Sequence, residues 1–383
     1  MQHRTCNTLF VAILAFGSLS TTAQAGALTI GDETTDKGAL TLSGFLRAKY
    51  QDKSWSDNDH KLTFDAAKVN LDYKSPKFFG HIEYRCYQFD KLCDFSSLVD
   101  GYVGYNINKT DNLTLGLQPV PFGPSRFWES NWYGGIVTQF GLEDVHNLGV
   151  KYHFQPFNAT DVDLAYFAKD GGKYGSSSDA SRYTANYVES LDEKNMWIAR
   201  ISKDLKLSED GKLNAKVGGS YWYSDIDNKV NNLTGDRKAW ALFSTISYDN
   251  LALTLTGGKN KVNNKDTTSP DISTMGSFKD YYDVANKGTF YTADVSYAFK
   301  NVGNIGTITP YAMYSTYKKD TEGFKDSTRS ILGVSVDHKQ LTFVAEYIMG
   351  KNDFNIGGTS ASYGAGDDNG NNHLLNLQVL YNF

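Results

Sequence analysis

Between Pro119 and Asp144 the chain collects residue types that seldom share a solvated loop. Pro119, Pro121 and Pro124 are three of only 7 prolines in 383 residues, and Arg126, Trp128, Glu129, Trp132, Glu143 and Asp144 follow them. Prolines end a strand sharply and stiffen what comes next. Tryptophans are out of place on a segment bathed in water. A loop that folds into a wet interior and narrows it accounts for both features, with Arg126, Glu129, Glu143 and Asp144 as the charges at the narrowing. A capping loop, or one packed on a neighbouring subunit, is the alternative. The chemistry open to such a loop is electrostatic, because fixed charges in a narrow low-dielectric passage focus field and sort ions. Bond-making chemistry has less to draw on. It needs a nucleophile with a base in reach, and His60, His81, His146, His153, His338 and His373 fall into no Ser/His/Asp arrangement. No enzyme activity, metal site or cofactor is expected.

The elements that would position this loop alternate with period two, and helical periodicity is almost absent. In 39–50, Leu40, Leu42, Gly44, Leu46, Ala48 and Tyr50 share one face, while Thr41, Ser43, Phe45, Arg47 and Lys49 share the other. The pattern predicts 16 strands, over 39–50, 62–74, 79–88, 98–108, 113–118, 146–154, 162–168, 194–203, 212–224, 237–249, 251–259, 289–299, 307–318, 328–338, 341–350 and 373–383. Every odd-numbered strand is expected to be followed by a long gap, from about 9 to nearly 30 residues, and even-numbered strands mostly by short ones. Alternating long and short connections belong to a transmembrane antiparallel barrel with external loops and periplasmic turns. Lipid offers no partner for an open sheet edge, so the sheet must close.

The two faces divide by chemistry. Tyr50, Tyr73, Tyr152, Tyr223, Tyr248, Phe299, Tyr317, Tyr347 and Tyr381 are assigned to an outer aromatic girdle. The opposite phase carries charges, and charges need water. Among them Arg47, Lys49, Lys68 and Arg85 form a cationic wall on the first three strands that would concentrate small anions. For each, pairing with a neighbour such as Glu83 or Asp72 is the plainer role. Phe45, Phe167, Trp222 and Tyr314, with Trp128 and Trp132 from the loop, are the rings available for an alternative function, an aromatic slide for sugars.

Composition sets the limits. The chain is 40% hydrophobic and 21% charged, with 35 Gly, 25 Tyr and 22 Phe. A helical membrane protein would need several apolar runs of about 20 residues, and the single long run lies at the N-terminus. Residues 1–25 read as a secretory signal, with His3 and Arg4, an apolar stretch from Leu9 to Leu19, and Ala23-Gln24-Ala25 before the cut. One domain, 26–383, remains. Its cysteines, Cys86 and Cys93, stand seven apart in a secreted chain and are expected to pair. The net charge of -5 and the lack of a Lys/Arg cluster argue against nucleic acid as a partner.

Gly116-Leu-Gln118-Pro119-Val-Pro121-Phe122-Gly123, followed by Gly141-Leu-Glu143-Asp144-Val-His-Asn-Leu-Gly149, resembles the phosphate-selective porin O and P family and its carbohydrate-porin relatives. The resemblance implies a homotrimer of water-filled channels in the outer membrane of a Gram-negative bacterium. Its partners would be lipid and small hydrophilic solutes. Phe383, closing an alternating aromatic strand, resembles the assembly signal of such barrels and implies contact with the barrel-assembly machinery. Phosphate-selective members have a strongly basic path, whereas this chain is net acidic with mixed lumen charges. A general or weakly anion-selective diffusion pore is therefore the expectation.

Overall fold

The computed structural model describes residues 26–56, 61–173, 178–367 and 370–383. The leader expected over 1–25 lies outside the described residues, as does His60. Sixteen strands form one closed antiparallel barrel. They are β1 (Gly38–Lys53), β2 (Lys61–Lys74), β3 (Phe78–Tyr87), β4 (Phe95–Asn106), β5 (Asn112–Pro119), β6 (His146–Phe157), β7 (Thr160–Asp170) and β8 (Leu191–Lys206). The second half comprises β9 (Leu213–Asn228), β10 (Leu233–Tyr248), β11 (Leu251–Asn263), β12 (Lys287–Tyr297), β13 (Gly306–Lys319), β14 (Ser327–His338), β15 (Leu341–Lys351) and β16 (Asn372–Asn382). Each coincides with one strand of the period-two pattern.

The barrel closes where β1 meets β16, from Phe45 opposite Asn382 to Lys53 opposite Leu374. Phe383 finishes the seam. Its carbonyl accepts from Gly44 N at 2.8 Å, and its own N–H donates to Gly44 O at 3.1 Å. A Cβ at residue 44 would stand 2.8 Å from the Phe383 ring and 2.0 Å from Lys68 O, so only glycine lets the two strands and the terminal ring meet.

The period-two rule is visible residue by residue. On β16, Leu374, Asn376, Gln378 and Leu380 are buried toward the lumen, while Leu377, Val379 and Tyr381 are exposed outside. Around the barrel the outward set includes Leu115, Leu164, Ile201, Leu242, Leu332 and Phe343, all exposed. A contiguous apolar belt of this size belongs in lipid.

Three features differ from the sequence reading. The fifth external connection, 229–232, has four residues where a long gap is expected. There β9 and β10 stay paired up to Asn228 opposite Leu233, and Asn228 Oδ1 caps the turn from Val230 N at 2.9 Å. Tyr317 and Tyr314 exchange faces. Tyr317 is buried in the lumen and Tyr314 is exposed on the outside, because the inward phase of β13 runs through Tyr311, Met313 and Ser315. Finally, short strands lie beyond the barrel set. Leu28–Asp32 pairs with the start of β1, Phe299–Val302 pairs with β13, and Asn186–Tyr187, Ile272–Ser277 and Asp280–Ala285 build a small sheet from external loops.

The outward phase yields a direct test. Leu242→Arg places a cation in mid-belt and should lower barrel stability by about 2–4 kcal/mol, whereas Thr245→Arg, facing the lumen, should cost far less. Equilibrium refolding into lipid vesicles measures both.

Candidate functional site: a passage between the third loop and the first strands

The third external loop, 120–145, turns into the barrel immediately after Pro119. Pro121 and Pro124 have no N–H to offer a neighbouring strand, and the chain leaves the wall, held by Val120 N donating to Val145 O at 2.8 Å. It then crosses the lumen and is stitched to the far wall. Ser130 Oγ donates to Asp294 on β12 at 3.0 Å, Trp132 N to Glu346 on β15 at 2.7 Å, and Ile136 N to Ser315 Oγ on β13 at 2.8 Å.

The loop's centre is one 3₁₀ turn, Ile136–Phe140, whose Ile136, Val137 and Phe140 are buried. The Phe140 ring stacks on Tyr317 with centroids 3.7 Å apart. Two buried guanidinium groups grip the ends of this turn. Arg329 donates to Gly134 O at 2.9 Å and forms two bonds to Asp353, at 2.7 and 2.8 Å. Arg237 donates to the carbonyls of Phe140 and Gly141, both at 2.9 Å, and pairs with Glu193 at 3.2 Å. Neither arginine stood out in the sequence. Arg237 does fall in the inward phase of β10 with Ala239 and Ala241, so the same alternation that gave the strand placed it in the lumen.

With the loop packed against β8–β15, open space remains on the opposite side. A cavity of about 590 Å³ lies between β1–β3 and the loop. Arg47, Lys68, Arg85 and Phe45 bound it from the wall, and Phe127, Glu129, Trp132 and Tyr133 from the loop. The wall cations are not equivalent. Arg47 and Lys49 share Asp65, at 2.5 and 2.6 Å, and Lys49 does not reach the cavity. Arg85 pairs with Glu83 at 2.5 Å and donates to Tyr87 Oη at 3.1 Å. Lys68 forms no salt bridge among the described residues and lies 5.2 Å over the Phe45 ring.

The four loop charges also part company. Arg126 does not line the cavity. It is drawn to the wall by Glu83 at 3.1 Å, Asp100 at 3.2 Å and Asp144 at 2.9 Å. His81, Glu83 and Asp100 hold possible ligand atoms within 4.8 Å of one another, but the Arg126 guanidinium already supplies their positive partner. Asp144 accepts further from His146 and Tyr183, at 2.9 Å each. Glu129, Glu143 and Asp144 do line the cavity. Burial pushes the Glu129 carboxyl up to about 7, with Asp294 adding repulsion. Burial, then the Glu129 charge, lifts Glu143 well above the usual carboxylate range, although its Oε1 accepts from Trp128 N at 2.8 Å. A Cβ on Gly135 would sit 2.2 Å from Glu129 Oε1, so a side chain there would displace the carboxylate.

The aromatic set divides similarly. Phe45 and Trp132 border the cavity, and Trp132 is exposed. Trp128 and Trp222, by contrast, are 2% and 1% exposed and form the packing beneath the loop, with Phe122 between them. They do not line the cavity, because the loop's apolar underside uses them as its core. Phe167 is likewise buried. Cys86 and Cys93 are disulfide-bonded across the second external loop, with Cα atoms 4.9 Å apart.

Two consequences can be measured. Arg329→Ala leaves Asp353 buried without its cation and should cost about 3–5 kcal/mol. The expected readouts are a lower thermal midpoint in detergent and protease cleavage within 120–145, partly reversed by adding Asp353→Asn. Glu129 gains its negative charge as pH rises through about 7, so the reversal potential of any ion current through this cavity should shift toward cation preference across neutral pH. Glu129→Gln should flatten that dependence.

No family model matches the chain, and no curated protein does. Solved structures do match over nearly its whole length. The outer-membrane channel DcaP of Acinetobacter baumannii is 14% identical, with 91% of this chain and 99% of that chain covered at a TM-score of 0.60. A trimer form of OmpT, an outer membrane protein of Vibrio cholerae, is 13% identical over 90% and 99% at 0.56. An anion-selective porin from Comamonas acidovorans is 14% identical over 90% and 100% at 0.54. The chain therefore has the fold of the outer-membrane porin barrels.

Proposed function

We propose that the protein is a water-filled diffusion channel of a Gram-negative outer membrane, passing small hydrophilic solutes and ions with a weak preference for anions. The observation that carries this reading is the passage itself. A cavity bounded by charged and polar groups runs between a pinned loop and a cationic wall in which Lys68 forms no salt bridge among the described residues. Phosphate specificity is less well supported, since Asp65 and Glu83 already neutralise Arg47 and Arg85. Of its six rings, the sugar slide keeps only Phe45 and Trp132 at the cavity. A homotrimer, a cleaved leader before residue 26 and assembly through Phe383 complete the proposal, and the trimer form among the matched structures supports the first of these.

Planar-bilayer recording tests it. Stepwise open conductance is expected, and a protein silent at every voltage sinks the channel reading. A unit charge about 4 Å from a passing ion is worth about 1 kcal/mol in water. Lys68→Ala should therefore lower the anion-to-cation permeability ratio several-fold, and Lys68→Glu should invert it. Arg47→Ala should do less, because Lys49 remains on Asp65. Chloride current blocked by inorganic phosphate at low concentration would favour the phosphate-selective alternative, and block by maltodextrin the sugar channel.

A further inference from the structure

The third loop is not the only part of the chain that spans the barrel. The sixth external loop, between β11 and β12, projects a hairpin of Ile272–Ser277 and Asp280–Ala285 with Phe278 and Lys279 at its tip. Both edges of this hairpin are held. Met275 and Gly276 pair with Tyr187 and Asn186 of the fourth loop, while Asp283 N and Ala285 N donate to Ser360 O and Tyr363 O of the eighth, at 2.8 and 2.9 Å. Beneath it, Tyr282 Oη donates to Gln139 O of the third loop at 3.1 Å. The hairpin is thus supported along its length by three other loops.

Its tip lands on the far side of the mouth. The Phe278 ring lies 5.3 Å from those of Tyr87 and Phe95, 5.7 Å from Tyr183 and 6.1 Å from Phe89. Lys279 reaches Asp94 at 3.1 Å. Tyr87, Phe89, Asp94 and Phe95 all sit in or beside the loop closed by Cys86 and Cys93. Edge-to-face ring contacts of this kind hold well at a half-wet site, whereas an exposed ion pair adds little. Phe278 also has a φ of +56°, a conformation that costs a non-glycine residue energy and persists where packing fixes it. The hairpin rises from β11 and β12 and docks beside β3 and β4, so it bridges the opening. Phe278 and Ser277 belong to the cavity lining, and Phe278 packs on Tyr87 at the external end of β3, beyond Arg85.

We propose that Phe278 is a size-determining residue, the keystone of an upper restriction in series with the third-loop narrowing. A solute entering from outside meets the docked hairpin tip before it meets Arg47, Lys68 and Arg85. The disulfide keeps the landing loop in shape, and the ring cluster keeps the tip down. The inference rests on the channel reading.

Polymer exclusion on the full-length protein in planar bilayers tests it, with polyethylene glycols of graded size added to one side and then the other. Phe278→Ala should let larger polymers depress conductance from the external side and leave the periplasmic cut-off unchanged. Phe278→Trp keeps a ring in the cluster and should shift the external cut-off to smaller polymers, which covers the case of an alanine variant that does not fold. A conducting parent whose cut-off ignores both substitutions overturns the proposal alone. A parent that never conducts overturns the channel reading and the proposal together.

Discussion

The closing seam between β1 and β16 is the constraint on which the rest of the structure depends. Within lipid every backbone N–H and C=O must find a partner in the sheet, and the seam supplies the last row of them, down to the paired amides of Gly44 and Phe383. Once the sheet is closed, alternation does two jobs at once. It sends one set of side chains to hydrocarbon and the other to an interior that can hold charge. The low average hydrophobicity of the chain is a direct result.

A closed barrel of this size would leave a wide hole, and the interior chemistry fills most of it. The third loop is an apolar body with Phe122, Trp128 and Phe140 turned toward Trp222, Phe290 and Tyr317 of the wall. Its backbone carbonyls at the two ends of the 3₁₀ turn would be left without donors in that setting. Arg237 and Arg329 meet this need, and each is itself neutralised by a buried carboxylate. Such a network is stable only when complete, which is why the loop is held in one place.

Most of the barrel was legible because a strand's side-chain period depends on nothing beyond the strand. β1 and β16 read correctly from Leu40 and His373 onward with no knowledge of their neighbours. Legibility failed where the answer depended on a partner. Tyr314 and Tyr317 lie in opposite phases of β13, and the inward phase is marked by the contact of Tyr317 with Phe140, made by a loop nearly 180 residues away. Arg126 reads as a free charge until Glu83, Asp100 and Asp144 are brought around it. Trp128 and Trp222 have the composition of a binding surface and the position of a core. The four-residue turn after β9 had the same cause, since pairing between β9 and β10 continues past the point where alternation of apolar residues fades.

The cavity is pressed against β1–β3, while the loop scaffold hangs from β8–β15. The barrel is therefore divided into a stretch of wall that borders the cavity and a larger part that holds the opposing surface still. Apart from Ser335 on β14, the barrel-strand residues that line the cavity, Phe45, Arg47, Lys68, Arg85 and Tyr87, come from three consecutive strands. A lineage could rewrite the wall of this cavity by altering those three strands, leaving the arginine clamps and the folded loops as they are.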